Sequence, residues 1–188
     1  YIYIYMSITE LKGKTLELKY KLGGSQSTTP TGYRFTFKYE LQNAVNKWCE
    51  TPRPTSVQQY GDISTWDVSQ ITDMSKLFRG KTKFNDDISR WNVDNVTYMS
   101  EMFRSARSFN QPLEQWNVGN VTNMGWMFNK AHAFNQPLEQ WNVGNVTDME
   151  GMFCYAYAFN QPIGQWNVGN VITMKGMFWN ADAFNQPI

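Results

Sequence analysis

A regular internal repeat is the feature of this sequence that most constrains its fold. One constant interval separates five tryptophans, which are Trp66, Trp91, Trp116, Trp141 and Trp166. Methionine and phenylalanine keep the same interval, from Met74 to Met174 and from Phe84 to Phe184. One unit of this size cannot cover its own apolar side, so successive units must pack against each other. The sequence therefore predicts a repeat protein with one continuous core.

Each unit is predicted to contain a short strand and a helical return leg. Trp116 and Val118 alternate with Gln115 and Asn117, which predicts a strand with one buried face. Apolar residues then recur every three or four positions over residues 121–134, which predicts a helical or 3₁₀-like segment. The interval between tryptophans is typical of leucine-rich repeats and too short for paired-helix repeats. The predicted fold class is an α+β repeat solenoid of leucine-rich-repeat type with five 25-residue coils.

A small strand-and-helix cap is predicted before the repeats. Alternation of apolar and polar residues predicts strands within residues 1–38. A helix is predicted from about Tyr39 to Glu50, because prolines follow it closely. The predicted domains are an N-terminal hairpin and capping helix over residues 1–55, and the repeats over residues 56–188. Alternatively, the strands form a docking element whose edge pairs with another chain.

Asparagine also recurs at two equivalent positions of successive repeats. Each such set, which we call a column, is predicted to form a structural ladder of hydrogen bonds. The columns contain Asn95, Asn120, Asn145 and Asn170, and Asn110, Asn135, Asn160 and Asn185. Stacked amides can donate and accept hydrogen bonds from one repeat to the next. Three members of the first column also begin Asn-Val-Thr glycosylation sequons, and burial between repeats would make them poor acceptors of glycans.

The repeat pattern resembles that of a known family. The motif W-N-V-x-N-V-T-x-M-x-x-M-F-x-x-A-x-x-F-N-Q-P, over about residues 57–188, is similar to the BspA-like leucine-rich-repeat family of bacterial surface proteins. Related repeats occur in large viruses and protists. The segment from Glu40 to Cys49 resembles the leader helix of such proteins. The resemblance implies adhesion or protein recognition without catalysis and an extracellular or cell-surface location. The alternative location, a virion or another large assembly, is suggested by the absence of a visible signal peptide.

Composition argues against several classes of function. The formal net charge is +1, which indicates no global attraction to nucleic acid. No apolar run is long enough to enter a membrane as a span, and no signal peptide is visible. Two distant cysteines and one histidine predict neither a disulfide framework nor a metal site. We expect no cofactor and no enzymatic activity, because phosphate-loop and catalytic-triad motifs are lacking.

Positions that vary between repeats are predicted to carry recognition, since the invariant ones are explained by packing. At these positions the first repeats carry arginine and the later repeats carry aromatic residues. Both residue types often anchor interfaces. The candidate partner-binding residues are Arg79, Arg104, Arg107, Trp126, Lys130, His132, Tyr155, Tyr157 and Trp179. Two alternatives stay open: random drift at tolerant surface positions, and binding by the polar strand face.

Two functions are compatible with these features. The first is a non-enzymatic module that recognises a protein or a surface. The alternative is a structural component of a large assembly such as a viral capsid or surface layer. A carbohydrate-active enzyme is disfavoured, because the tryptophans are predicted to face inward and no carboxylate pair recurs. The C-terminal end near Phe178 and Phe184 is expected to be covered by further chain or by a neighbouring subunit.

Overall fold

The computed structural model describes residues 32–188, which form one compact unit. An α-helix, α1, spans Lys38–Trp48, and two 3₁₀ helices span Thr55–Tyr60 and Ile63–Thr65. The rest of this part of the chain consists of turns and extended segments, with isolated parallel bridges in place of strands. The strands predicted before residue 32 lie outside the described residues.

Helix α1 packs on the first repeat. Its buried residues Leu41, Ala44, Val45 and Trp48 follow helical spacing and join the common core. Glu40 in the first turn and Lys47 in the last turn complement the helix dipole. The helix thus lies close to its predicted position, two residues shorter at its C-terminal end.

We number the repeats one to five as residues 61–85, 86–110, 111–135, 136–160 and 161–185. Backbone hydrogen bonds at alternate residues join each repeat to the next. In the third repeat the N–H groups of Met124, Trp126 and Phe128 donate to carbonyls of the fourth repeat, at 2.9, 2.7 and 2.9 Å. The intervening N–H groups of Met127 and Asn129 donate to carbonyls three residues back, both at 3.2 Å. Alternate N–H groups of each turn segment therefore donate to their own repeat and to the following repeat.

The prediction of an α+β solenoid with five leucine-rich-repeat coils is wrong. Around Trp116 and Val118 the backbone forms turns, with Trp116 N–H donating to Leu113 O at 3.0 Å and Val121 N–H to Val118 O at 2.9 Å. These local bonds use groups that a strand would pair across a sheet. The return leg is not a helix, because residues 126 and 130 have φ of 60° and 58°, whereas a right-handed helix needs negative φ throughout.

Aromatic columns form the core between repeats. The ring centroids of Phe78, Phe103, Phe128, Phe153 and Phe178 follow one another at 5.4, 5.5, 5.6 and 5.7 Å. Their planes lie within 7° of parallel. The tryptophan column is buried beside them, and the Trp116 indole donates to Ile88 O of the preceding repeat at 3.2 Å. Burial of these large rings, together with the Met, Val, Leu and Ile side chains of the same core, holds the repeats together.

The asparagine ladders are confirmed. Asn110 Oδ1 accepts from Asn135 N–H at 2.9 Å, and the same bond links the next two members of that column. In the other column, Asn120 Nδ2 donates to Asp94 O at 2.7 Å. Asn95, Asn120 and Asn145 are exposed rather than buried, but the side-chain nitrogen of each bonds the preceding repeat. Glycan attachment at that nitrogen would break a bond between repeats.

Candidate functional site

Left-handed turns position the variable side chains. Two positions per repeat have positive φ, between 55° and 73°, in all five repeats. They are Lys76, Glu101, Trp126, Gly151 and Gly176, and Gly80, Ser105, Lys130, Tyr155 and Asn180. Non-glycine residues adopt this conformation at a cost of roughly 1–2 kcal/mol each. The cross-repeat hydrogen bonds around them hold the backbone in place despite that cost.

Eight of the nine predicted residues belong to these turn segments in the first four repeats. We call the surface they share the turn face. It consists of Arg79, Arg104, Arg107, Trp126, Lys130, His132, Tyr155 and Tyr157. Contacts within it cross from one repeat to the next, so that residues distant in sequence form two clusters.

The first cluster surrounds a carboxylate. Glu101 Oε2 contacts Arg104 Nη1 at 2.8 Å and Arg79 Nη1 at 3.1 Å, and Glu101 Oε1 lies 3.6 Å from Lys76 Nζ. Burial alone would raise the pKa of Glu101, but the hydrogen bond from Arg104 and the three positive charges hold it below its ordinary value. Glu101 is therefore ionised at neutral pH and fixes the positions of two predicted arginines.

Trp126 continues the first cluster into the third repeat. The Arg104 guanidinium lies over its indole at 5.6 Å from the ring centroid. On the following repeat, a Cβ at Gly151 would lie 2.5 Å from the indole ring. The indole therefore rests against backbone, and only glycine leaves room for it. Trp126 is half-buried, which leaves part of its ring available to a partner.

The second cluster is aromatic and basic. Lys130 Nζ lies 5.6 Å from the centroid of the Tyr155 ring, and the rings of His132 and Tyr157 are 4.6 Å apart. Tyr155 and Tyr157 meet edge to face at 6.2 Å. Burial lowers the pKa of His132, and the charges of Arg107 and Lys130 lower it further. His132 is thus neutral at pH 7, and the cluster offers aromatic surface beside two cations.

Trp179, the ninth predicted residue, belongs to the turn segment of the last repeat, where its carbonyl accepts from Tyr155 N–H at 2.8 Å, and it borders an apolar face of that repeat. The ring is 66% exposed and lines a cavity of about 400 Å³ together with Met174, Met177, Phe178 and Ile188. Phe178 itself is only half-buried. None of the described residues accepts a hydrogen bond from the N–H groups of Met174, Gly176, Phe178 or Asn180, whose equivalents in earlier repeats bond the next repeat.

Two residues important to this surface escaped the sequence analysis. Glu101 occupies a column that varies as strongly as those selected, so the same criterion would have found it. Asn129 lies in a column predicted to be exposed, yet it is 2% exposed and donates to Cys154 O at 2.9 Å. Cys154, in the same column, is also buried. That column therefore reaches the surface at its ends and enters the core in its middle.

Across residues 32–188 no group of three or more His, Cys, Asp or Glu side chains is placed to hold a metal ion. Burial raises the pKa of the Cys49 thiol to about 11, so it is a poor nucleophile at neutral pH. The helices in this part of the chain lack the length and apolar character that a membrane crossing requires.

Comparison with known proteins identifies one family. The family described as "Mycoplasma protein of unknown function, DUF285" matches residues 48–153 and 114–188. These two matches together span the end of α1 and all five repeats. No curated protein and no solved structure matches the chain.

Proposed function

Because the chain belongs to the family described as Mycoplasma protein of unknown function, DUF285, we propose a function from its surface: it is a non-enzymatic module that binds a protein partner through the turn face. The observation that carries this proposal is the pair of side-chain clusters around Glu101 and around Tyr155. Both cross between repeats and combine arginine or lysine with partly exposed aromatic rings. Such side chains contribute disproportionately to protein interfaces.

The invariant positions offer a weaker alternative surface. Asn117 and Asn142 are exposed, but each accepts a hydrogen bond from the backbone two residues later, at 3.2 and 3.1 Å. These amides therefore stabilise turns of their own repeat. Resemblance of the repeats to the BspA-like surface proteins supports adhesion as the setting in which the turn face would act.

Substitution of the exposed aromatic residues tests the proposal. A random-peptide phage library is selected against the protein, and the enriched peptides are titrated against Tyr155→Ala, Tyr157→Ala and Trp179→Ala. We expect the two tyrosine variants to weaken binding about tenfold each, because each removes a partly exposed ring from the turn face. Melting temperatures should stay within about 2 °C of the parent protein, as expected for surface positions.

Trp179→Ala separates the turn face from the last-repeat face. If it alone weakens binding, peptides dock beside Met174 and Ile188 instead. Unchanged affinity in all three variants, or no selected peptide at all, would contradict recognition by the turn face.

The last repeat favours a second candidate, a structural component of a larger assembly. Trp179 and Ile188 are 66% and 85% exposed and share a cavity with Met174, Gly176 and Phe178, three of the residues whose N–H groups have no acceptor among the described residues. Either further chain or a neighbouring molecule would continue the hydrogen-bond pattern of the repeats and cover these side chains, and the second case is an assembly.

Sedimentation velocity distinguishes the two candidates. A recognition module is expected to sediment as a monomer at all concentrations. Assembly through the last repeat predicts concentration-dependent oligomers that Trp179→Lys abolishes, because a charge at this 66% exposed apolar site cannot be buried without a partner. Gln165→Lys, at an exposed polar position, is the matched control. Oligomers that survive Trp179→Lys would exclude this face as the contact.

A further inference from the structure

Positive charge is concentrated along one side of the first three repeats. Five cations belong to it: Lys76, Arg79, Arg104, Arg107 and Lys130, which we call the basic row. Glu101 is the acid that contacts members of the row within the described residues. Since the whole chain has a formal net charge of only +1, the row is a local feature rather than a result of overall composition.

The row is held in place before any partner arrives. Glu101 contacts three of its members, and Trp126 packs against the Arg104 guanidinium. Side chains that are already ordered lose little conformational entropy on binding. One carboxylate does not neutralise three cations, so Arg79 and Arg104 keep charge and donors for a second anion. A guanidinium with free donors suits a carboxylate in particular.

In the fourth repeat, aromatic side chains replace cations at variable positions. Lys130 lies over Tyr155, and Tyr155 contacts Tyr157 edge to face. The position equivalent to Arg107 and His132 becomes Tyr157 and then Asp182. A long polyanion such as nucleic acid or a sulfated polysaccharide would need cations along its whole path. A ligand with a few negative charges followed by apolar groups matches this surface better.

We propose that the turn face binds an extended acidic segment of a partner protein, with carboxylates on the basic row and apolar side chains on Tyr155 and Tyr157. The proposal rests on the proposed function and names its ligand class. Phenylalanine rings of successive repeats are about 5.5 Å apart, so the first and fourth repeats are separated by roughly 16 Å. An extended peptide rises about 3.3 Å per residue and spans that distance with about five residues.

Synthetic peptides test the ligand class. Fluorescein-labelled decapeptides of alternating Glu and Tyr, of alternating Gln and Tyr, and of alternating Lys and Tyr are titrated by fluorescence anisotropy. We expect the Glu-Tyr peptide to bind at least about tenfold more tightly than the Gln-Tyr peptide, and the Lys-Tyr peptide not to bind. Raising NaCl from about 50 to about 300 mM should weaken the Glu-Tyr complex several-fold, because the charges are solvent-exposed.

Two double variants with the same change in net charge give the matched control. Arg107→Gln/Lys130→Gln removes two exposed members of the basic row, and Arg90→Gln/Lys175→Gln removes two exposed cations elsewhere. The first pair should weaken the Glu-Tyr peptide about tenfold and the second less than about twofold. Equal losses in the two pairs would show attraction to net charge alone and would overturn the proposal.

Two further outcomes separate this proposal from the proposed function. If library peptides bind through Tyr155 and Tyr157 but the Glu-Tyr and Gln-Tyr peptides bind equally, the turn face recognises proteins and the acidic ligand class is wrong. If a heparin octasaccharide or poly-uridine RNA binds with the same dependence on Arg107→Gln/Lys130→Gln while the Glu-Tyr peptide does not, the ligand is a polyanion and the proposal also fails.

Discussion

Replacing Trp116 with alanine is expected to lower the free energy of unfolding by about 3–5 kcal/mol. The side chain is 3% exposed and belongs to the central core cluster. Its removal leaves a cavity between the second and third repeats and deprives Ile88 O of the indole donor at 3.2 Å. Surrounding side chains are constrained by their own neighbouring repeats, so the cavity cannot collapse easily. Urea denaturation followed by circular dichroism measures the change.

Asn117→Ala is the matched control in the same repeat. Asn117 is exposed, and its side chain accepts one hydrogen bond, from Gly119 N–H at 3.2 Å. Loss of an exposed hydrogen bond costs about 0.5–1 kcal/mol. Similar losses for Trp116→Ala and Asn117→Ala would show that the tryptophan column does not face the core.

Asn129→Asp is expected to destabilise the protein by about 3 kcal/mol at neutral pH, although the two side chains have nearly the same shape. Asn129 is the buried polar residue of the described core, and its Nδ2 donates to Cys154 O at 2.9 Å. Its Oδ1 has no partner among the described residues. A carboxylate at this position would lose the donor, place an oxygen against a carbonyl oxygen and bury a charge.

The stability of the Asn129→Asp variant relative to the parent protein is expected to fall as the pH rises. Burial and the facing carbonyl disfavour the ionised form, so the pKa of the new carboxyl is raised above its unfolded value of about 3.9. Below that value the acid is protonated in both states and can donate to Cys154 O. The loss of stability relative to the parent is then smallest, and it grows as the pH rises toward the folded-state pKa. Urea denaturation of both proteins between about pH 4 and about pH 7 measures the difference.

Asn117→Asp, at an exposed position of the same repeat, should change stability by less than about 0.5 kcal/mol throughout that range. A pH-independent loss for Asn129→Asp would mean that the introduced carboxyl reaches solvent. The side chain of Asn129 would then not be enclosed by the core.

The sequence by itself identified the tryptophan, methionine and phenylalanine columns that form the core. Columns of Trp, Met and Phe recur once in every repeat, and the members in the central repeats are all in the core. This succeeds because burial depends on side-chain chemistry, and chemistry is visible in a sequence at fixed intervals. The asparagine ladders followed for the same reason, since an amide recurring at one step of each repeat meets its equivalent in the next.

Backbone conformation was decided by tertiary structure. Alternation around Trp116 and Val118 predicted a strand, and three-to-four-residue spacing after Val121 predicted a helix, but the chain forms turns in both places. Periodicity reports which side chains face inward and not which carbonyl each N–H group meets. In this protein half of the donors of a turn segment find their acceptors in the next repeat. Those bonds hold residues such as Trp126 and Lys130 in a left-handed conformation that their own preferences disfavour.

In the candidate site, too, the sequence determined one part and the tertiary structure decided the rest. Variation between repeats selected Arg79, Arg104, Tyr155 and Tyr157 as candidates, because packing already explains the invariant positions. It could not show that Glu101 would meet three cations, or that Asn129 and Cys154 would turn inward although the two ends of their column are exposed. Those contacts depend on the direction of each side chain, which the left-handed turn sets, and on the residues of the following repeat that it meets. Both are properties of the assembled repeats, and no single repeat unit contains them.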